Sequence, residues 1–131
     1  MQMIYVALTG IARHVMKELL AARVRTVEIR SPNNFVALLN AKPGDKIFLT
    51  ESSAPDILLG TNGLIASVMG IQMITHRVIQ SSEDYYEERE AQAARVQLQL
   101  AGVGRVRRVT SFEVGEPLEL EVDQVKYCDA G

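Results

Sequence analysis

Hydrophobic and polar positions alternate at the start of the chain. Ile4, Val6 and Leu8 take one phase and Tyr5 and Ala7 the other, which is the two-residue period of a strand. Thr9-Gly10 interrupts the pattern. Beyond it the period lengthens, with Ile11, Val15 and Leu19 flanked by Ala12, Met16 and Leu20. That spacing makes one apolar helical face, which Thr9 is placed to cap and which stops near Ala22. Residues 24–30 return to alternation, Val27 and Ile29 facing one way and Thr26, Glu28 and Arg30 the other. Ser31-Pro32 reads as an N-cap and a first-turn proline, so a short helix is expected over residues 33–39. Lys42-Pro-Gly-Asp45 is a tight turn into a strand over residues 46–50.

Residues 51–63 are rich in Ser, Pro, Asp and Gly and read as a loop ending in a positive-φ turn at Asn62-Gly63. Two β segments follow, 64–69 and 71–79, with Gly70 as a bulge between them. Ser81-Ser-Glu-Asp84 has the form of a capping box, and the acids after it suit the first turns of a helix. Tyr86, Ala93, Val96 and Leu100 fit a helical stripe, although Val96, Leu98 and Leu100 also alternate; helix to about residue 100 is the expectation. Final strands over 105–112 and 117–125 meet across Gly115-Glu116. Many short strands with helices inserted early and late give an α+β domain built on a partly closed barrel with two main helices. The strand–helix alternation of a doubly wound sheet is missing.

The length of 131 residues suits one domain, 1–131, able to bury a core without staples. Apolar residues are 47%, and no apolar run nears the ~20 residues of a membrane span. The opening residues lack a basic segment and a small-residue cleavage site, so a first strand is expected and not a leader. One cysteine, Cys128, allows no disulfide within the chain, and a soluble cytoplasmic protein fits best. Charge is uneven: residues 1–50 hold seven basic and three acidic side chains, residues 51–131 seven and thirteen. A strongly basic nucleic-acid surface is thereby excluded, a local basic patch is not. Aromatics at 5%, with no Trp, argue against several bases stacked on aromatic platforms.

No phosphate-loop, dinucleotide-binding or serine-nucleophile motif is present. His14, His76 and Cys128 are scattered, so no metal and no cofactor is expected, and Cys128 reads as an inert thiol. The candidate chemistry lies on the polar face of residues 25–30, where Thr26, Glu28 and Arg30 stand about 6–7 Å apart per two-residue step. A carboxylate accepts from a base amino group, and a guanidinium clamps phosphate bidentately. Ser31, Asn33 and Asn34, just beyond, and Thr50, at the end of another strand, supply hydroxyls and amides for the same rim. The bland alternative is a solvated strand face with an internal Glu28–Arg30 pair and an ordinary helix cap. Arg105, Arg107 and Arg108, with Arg95, are read as partners of the neighbouring acids and not as a phosphate patch.

Arg25-Thr-Val-Glu-Ile-Arg30, then Lys42-Pro-Gly-Asp-Lys-Ile-Phe-Leu49, then Gly63-Leu-Ile-Ala-Ser-Val68, resembles the ASCH branch of the PUA-like superfamily. Its signature runs Gly-x-Lys-x-x-Glu-x-Arg, a Gly-Asp turn into a strand, and Gly-Ile-x-x-Val. The match covers roughly residues 23–70. Through its Tyr-Val-Ala-Leu-Thr-Gly-Ile opening and Thr-Val-Glu-Ile-Arg-Ser element, the whole chain also resembles a small archaeal family of uncharacterised proteins. The resemblance implies a PUA-like pseudo-barrel with a cleft beside the first helix, and a ligand that is RNA or a modified nucleotide. Some ASCH members are amidohydrolases acting on an acylated cytosine. Glu28 and Arg30 fall on the signature's Glu and Arg, whereas its Lys and Gly fall on Arg25 and Arg23. Arginine stays protonated and makes a poor base or nucleophile, which favours binding over hydrolysis.

Two functions follow as expectations. In one, a non-catalytic module binds RNA or a nucleotide through Arg25, Glu28, Arg30, Ser31, Asn33, Asn34 and Thr50. In the other, Glu28 is a general base for hydrolysis of an amide or acylated base, with Thr26 or Arg30 at the oxyanion. A third is a protein-interaction module or homodimer that uses apolar β surface left over from residues 64–79, with no membrane partner.

Overall fold

The computed structural model describes residues 2–111, 113 and 116–127; the expected Gly115 turn, Cys128 and the side chain of His76 lie outside what it describes. In chain order the elements are β1 (Gln2–Leu8), α1 (Arg13–Ala22), β2 (Val24–Ile29), α2 (Pro32–Leu38), β3 (Lys46–Leu49), a 3-10 turn at Ala54–Asp56, β4 (Asn62–Ser82), β5 (Tyr85–Ser111) and β6 (Glu119–Tyr127). The fold is mixed α+β, mostly sheet, with two helices. Among the described residues no helix is long and apolar enough to cross a membrane.

The sheet runs β2-β5-β4-β3-β1-β6, and β5 also pairs with β6. Strands β5, β4, β3, β1 and β6 therefore form a closed ring of pairings, in which only β1–β3 is parallel. One long strand makes this closure possible: residues 94–99 of β5 pair with β2, while residues 102–111 of the same strand pair with β6.

Inside the ring, Phe48 is fully buried with Tyr5, Ile65, Val106, Leu120 and Val122. Room for its ring comes from Gly63 and Gly104, which face each other across β4 and β5. A Cβ on Gly63 would stand 2.3 Å from the Leu49 carbonyl oxygen and 2.4 Å from Phe48 Cζ. Gly63 was expected to supply a positive-φ turn. That role falls instead to Gly60, at φ +90°, and Gly63 is a strand glycine kept small by close packing. The second core lies between the sheet and the two helices, where Leu19 of α1 and Leu38 of α2 are fully buried with Val27, Val96 and Leu98.

The expected turn at Lys42–Asp45 forms, with Gly44 at φ +98° and the Asp45 amide donating to the Lys42 carbonyl. The expected irregularity at Gly70 appears as a register shift between Val68 and Gly70. Helix α2 starts at Pro32 after Ser31, in line with the sequence pattern, but neither helix has a side-chain cap; α1 starts after Ala12, and Thr9 does not cap it. The larger correction concerns residues 83–100. No helix forms there. Ser82 pairs with Tyr85, Glu83-Asp84 are the two-residue loop of a long hairpin, and the second helix of the fold is the short α2. The apparent cap at Ser81-Ser-Glu-Asp84 has become a hairpin turn because β4 offers a complete partner strand, and tertiary pairing overrides local propensity. Ala94, Val96 and Leu98 are buried and Arg95 and Gln97 exposed, a period of two.

Candidate functional site

Strand β2 presents its residues in the expected phase: Val27 and Ile29 are buried, while Thr26, Glu28 and Arg30 are exposed. Burying two β-branched residues on the inner face forces the polar set outward. Opposite them on β5 stand Gln97 across from Thr26 and Arg95 across from Glu28. Glu28 Oε2 accepts from Arg30 Nε at 3.1 Å and Nη2 at 2.8 Å, and Arg95 Nη2 lies 3.9 Å from Glu28 Oε1. The Arg30 side chain is 71% exposed. Both Glu28 oxygens thus face guanidinium groups, an arrangement that orients the cations. A general base needs a carboxylate turned to a sheltered water position, so the geometry suits binding better than hydrolysis.

Glu28, Arg30 and Ser31 border a depression of about 230 Å³ whose other wall is Gly10, Ile11, Ala12 and Val15. That wall is the entry to α1. Helix α1 has no side-chain cap and no acid in its first turn; the Val15 amide already donates to the Ala12 carbonyl, which leaves the amides of Ala12, Arg13 and His14 for solvent or an anion. The entry loop is fixed by backbone bonds: the Gly10 amide donates to the Ser52 carbonyl and the Ile11 amide to the Thr50 carbonyl.

Asn34 lines the same depression, and the other residues read as site members lie elsewhere. Asn34 is 5% exposed, its Nδ2 donating to the Thr9 carbonyl at 2.8 Å and its Oδ1 accepting from the Thr9 amide at 2.9 Å. Its amide therefore works as a clamp that ties α2 to the α1 entry, in the wall of the depression. Thr50 is 1% exposed; its hydroxyl donates to the Asn62 carbonyl and accepts from the Ser52 amide. Arg25 lies off the Glu28 face, on the side of α1, with Nε 2.5 Å from Glu18 Oε2 and Nη1 buried with no hydrogen-bond partner among the described residues. Asn33 lines a second cavity of about 190 Å³ with Thr9, Glu113 and Glu116. The Glu116 carboxyl is raised above the usual carboxylate range, first by a hydrogen bond with Glu113 and then by that neighbour's charge. Two carboxyls make this second cavity unfit for a phosphate.

Sequence reading set Arg95 aside as a partner of nearby acids, and the resemblance implied a cleft beside the first helix without pointing to the start of α1. Arg95 is 45 or more residues from the other site members in the chain and arrives through strand pairing; the bare helix start had a sequence signal, Ala12 where a Ser, Thr, Asp or Asn cap is usual. Arg107 and Arg108 pair with the acids of β6, Arg108 Nε lying 2.7 Å from Glu121 Oε2, as their neighbours suggested. His14 is exposed on α1. Among the described residues, no three His, Cys, Asp or Glu side chains converge as a metal site would require.

A family model described as protein of unknown function (DUF473) matches residues 3–120. The uncharacterized protein MJ0105 of Methanocaldococcus jannaschii is 26% identical over 107 residues, which cover 82% of this chain and 67% of that protein. No solved structure matches.

Proposed function

We propose that this chain, which belongs to the DUF473 family, is a binding module for a phosphate-bearing nucleotide unit, free or within RNA, held at the depression between β2 and the start of α1. The observation that carries the reading is the convergence of Arg30 and the uncapped start of α1 on one depression, with Glu28 at its lip. Guanidinium and backbone N–H groups take a phosphate, and the Glu28 carboxylate accepts from a base amino group. Entry of a phosphate draws Arg30 from Glu28 and frees that carboxylate for the base.

Size narrows the ligand. At about 230 Å³ the depression is smaller than the ~300–1,000 Å³ of typical small-molecule sites. That suits one nucleotide unit held partly in solvent. The ring of five strands with a helix beside it supports the PUA-like reading of the fold, and through it RNA as the larger ligand.

Binding of single nucleotides and short RNAs, followed by fluorescence anisotropy or calorimetry over a range of salt, tests this. Arg30→Ala is expected to weaken binding roughly tenfold and to lower the slope of log K against log salt by about one. Glu28→Ala is expected to lose discrimination among bases while keeping the salt slope. No binding by the native chain at low salt, or equal binding by both variants, would exclude the proposal.

A further inference from the structure

The β4–β5 hairpin extends well past the barrel. Strand β2 covers β5 only as far as the Ile29–Ala94 pair, and β3 covers β4 only as far as Lys46–Ser67. Among the described residues nothing pairs with the outer edge of β4 over residues 70–82. A bare two-stranded ribbon is marginally stable in water, and a long flat edge rich in β-branched residues is a template for another strand. Residues 71–81, Ile-Gln-Met-Ile-Thr-His-Arg-Val-Ile-Gln-Ser, contain no proline and one formal charge, Arg77. Met73 and Ile79 are about half exposed along this edge.

We propose that this edge pairs, antiparallel, with the same edge of a second copy of the chain about a two-fold axis at residue 76. Register selects this pairing. A two-fold axis normal to the sheet keeps every residue on its own face, so the allowed registers are those centred on a residue. Centring on residue 76 sets Gln72 across from Gln80, Met73 from Ile79, Ile74 from Val78 and Thr75 from Arg77. From residue 72 to residue 80 polar meets polar and apolar meets apolar on both faces, and only at the end of the seam does Ile71 fall across from Ser81. Moving the centre to residue 75 or 77 sets Met73 across from Arg77 or Thr75 from Ile79, and the match is lost.

Charge selects this edge over the other. The arm's β5 strand carries Glu87, Glu88 and Glu90 against Arg89, and two such strands side by side would repel. Arg77 is already paired with Glu88 of its own hairpin, so two copies meet without an uncompensated cation. The seam over residues 70–82 would be on the order of 40 Å long and form about a dozen backbone hydrogen bonds, within the range of specific interfaces.

Sedimentation velocity of the full chain over a range of concentrations tests the proposal, with far-ultraviolet circular dichroism confirming that each variant is folded. The native chain is expected to sediment at twice its 14.5 kDa mass. Ile79→Lys keeps a favourable neighbour in Glu88 across its own hairpin and is expected to weaken the dimer roughly tenfold or more. Adding Met73→Glu is expected to restore it. Within one chain residues 73 and 79 are ~20 Å apart, so the two charges meet only between copies. A monomeric native chain, an Ile79→Lys dimer of unchanged strength, or a double variant no stronger than the single one overturns the proposal.

Discussion

Gly63→Ala is expected to lower the free energy of unfolding by about 3 kcal/mol or more. The added methyl would meet the Leu49 carbonyl oxygen at 2.3 Å and the Phe48 ring at 2.4 Å. Neither can retreat. Leu49 is fully buried in a strand paired on both sides, and Phe48 fills the ring of strands against Gly104 and Val122. Small-to-large changes in a close-packed core force backbone shifts or off-rotamer side chains. Gly70→Ala is the control. No atom lies within 4 Å of the place its methyl would take and its φ is not positive, so a change within about 0.5 kcal/mol is expected. Urea unfolding of both variants, compared at constant slope, gives the two numbers. Equal midpoints would show that the barrel interior is not packed around Phe48 as described.

Asn34→Ala is expected to cost about 2–4 kcal/mol, because it orphans both the amide and the carbonyl of Thr9 at a site that is 5% exposed. Asn34→Asp keeps the acceptor for the Thr9 amide but turns a second oxygen toward the Thr9 carbonyl, and is expected to fare little better. The same substitution separates two roles for this residue. If Asn34 clamps the α1 entry, stability falls and nucleotide binding falls with it. If Asn34→Ala instead keeps native stability and loses only binding, the residue contacts the ligand directly, as the sequence alone suggested.

The Glu28–Arg30 face was legible because a two-residue period sorts side chains by face wherever one face must be buried, and Val27 and Ile29 leave little choice. The Lys42–Asp45 turn was legible for a related reason: proline and glycine act within four residues. Arg95, the Asn34–Thr9 clamp and the burial of Thr50 were not legible. Each depends on which distant strand or loop comes to lie alongside, and no local pattern encodes that. Asn34, three residues after the serine that precedes α2, resembles a surface amide until β1, α1 and α2 are assembled around it.

The sequence by itself determined the α+β class, the first helix, the outward phase of residues 26, 28 and 30, and the tight turn at Lys42–Asp45, since each follows from short-range periodicity or backbone restriction. Only the tertiary structure decided that residues 85–100 are strand. Their pattern satisfied both periods, and a long partner strand settled it in favour of pairing. It also decided that Gly63 is a packing glycine, since only the neighbouring Phe48 ring shows where a methyl cannot go. Most of all, it turned a polar strand face into the lip of a depression by placing an uncapped helix start against Glu28 and Arg30, a juxtaposition that depends on contacts between elements and not on the local residues of either.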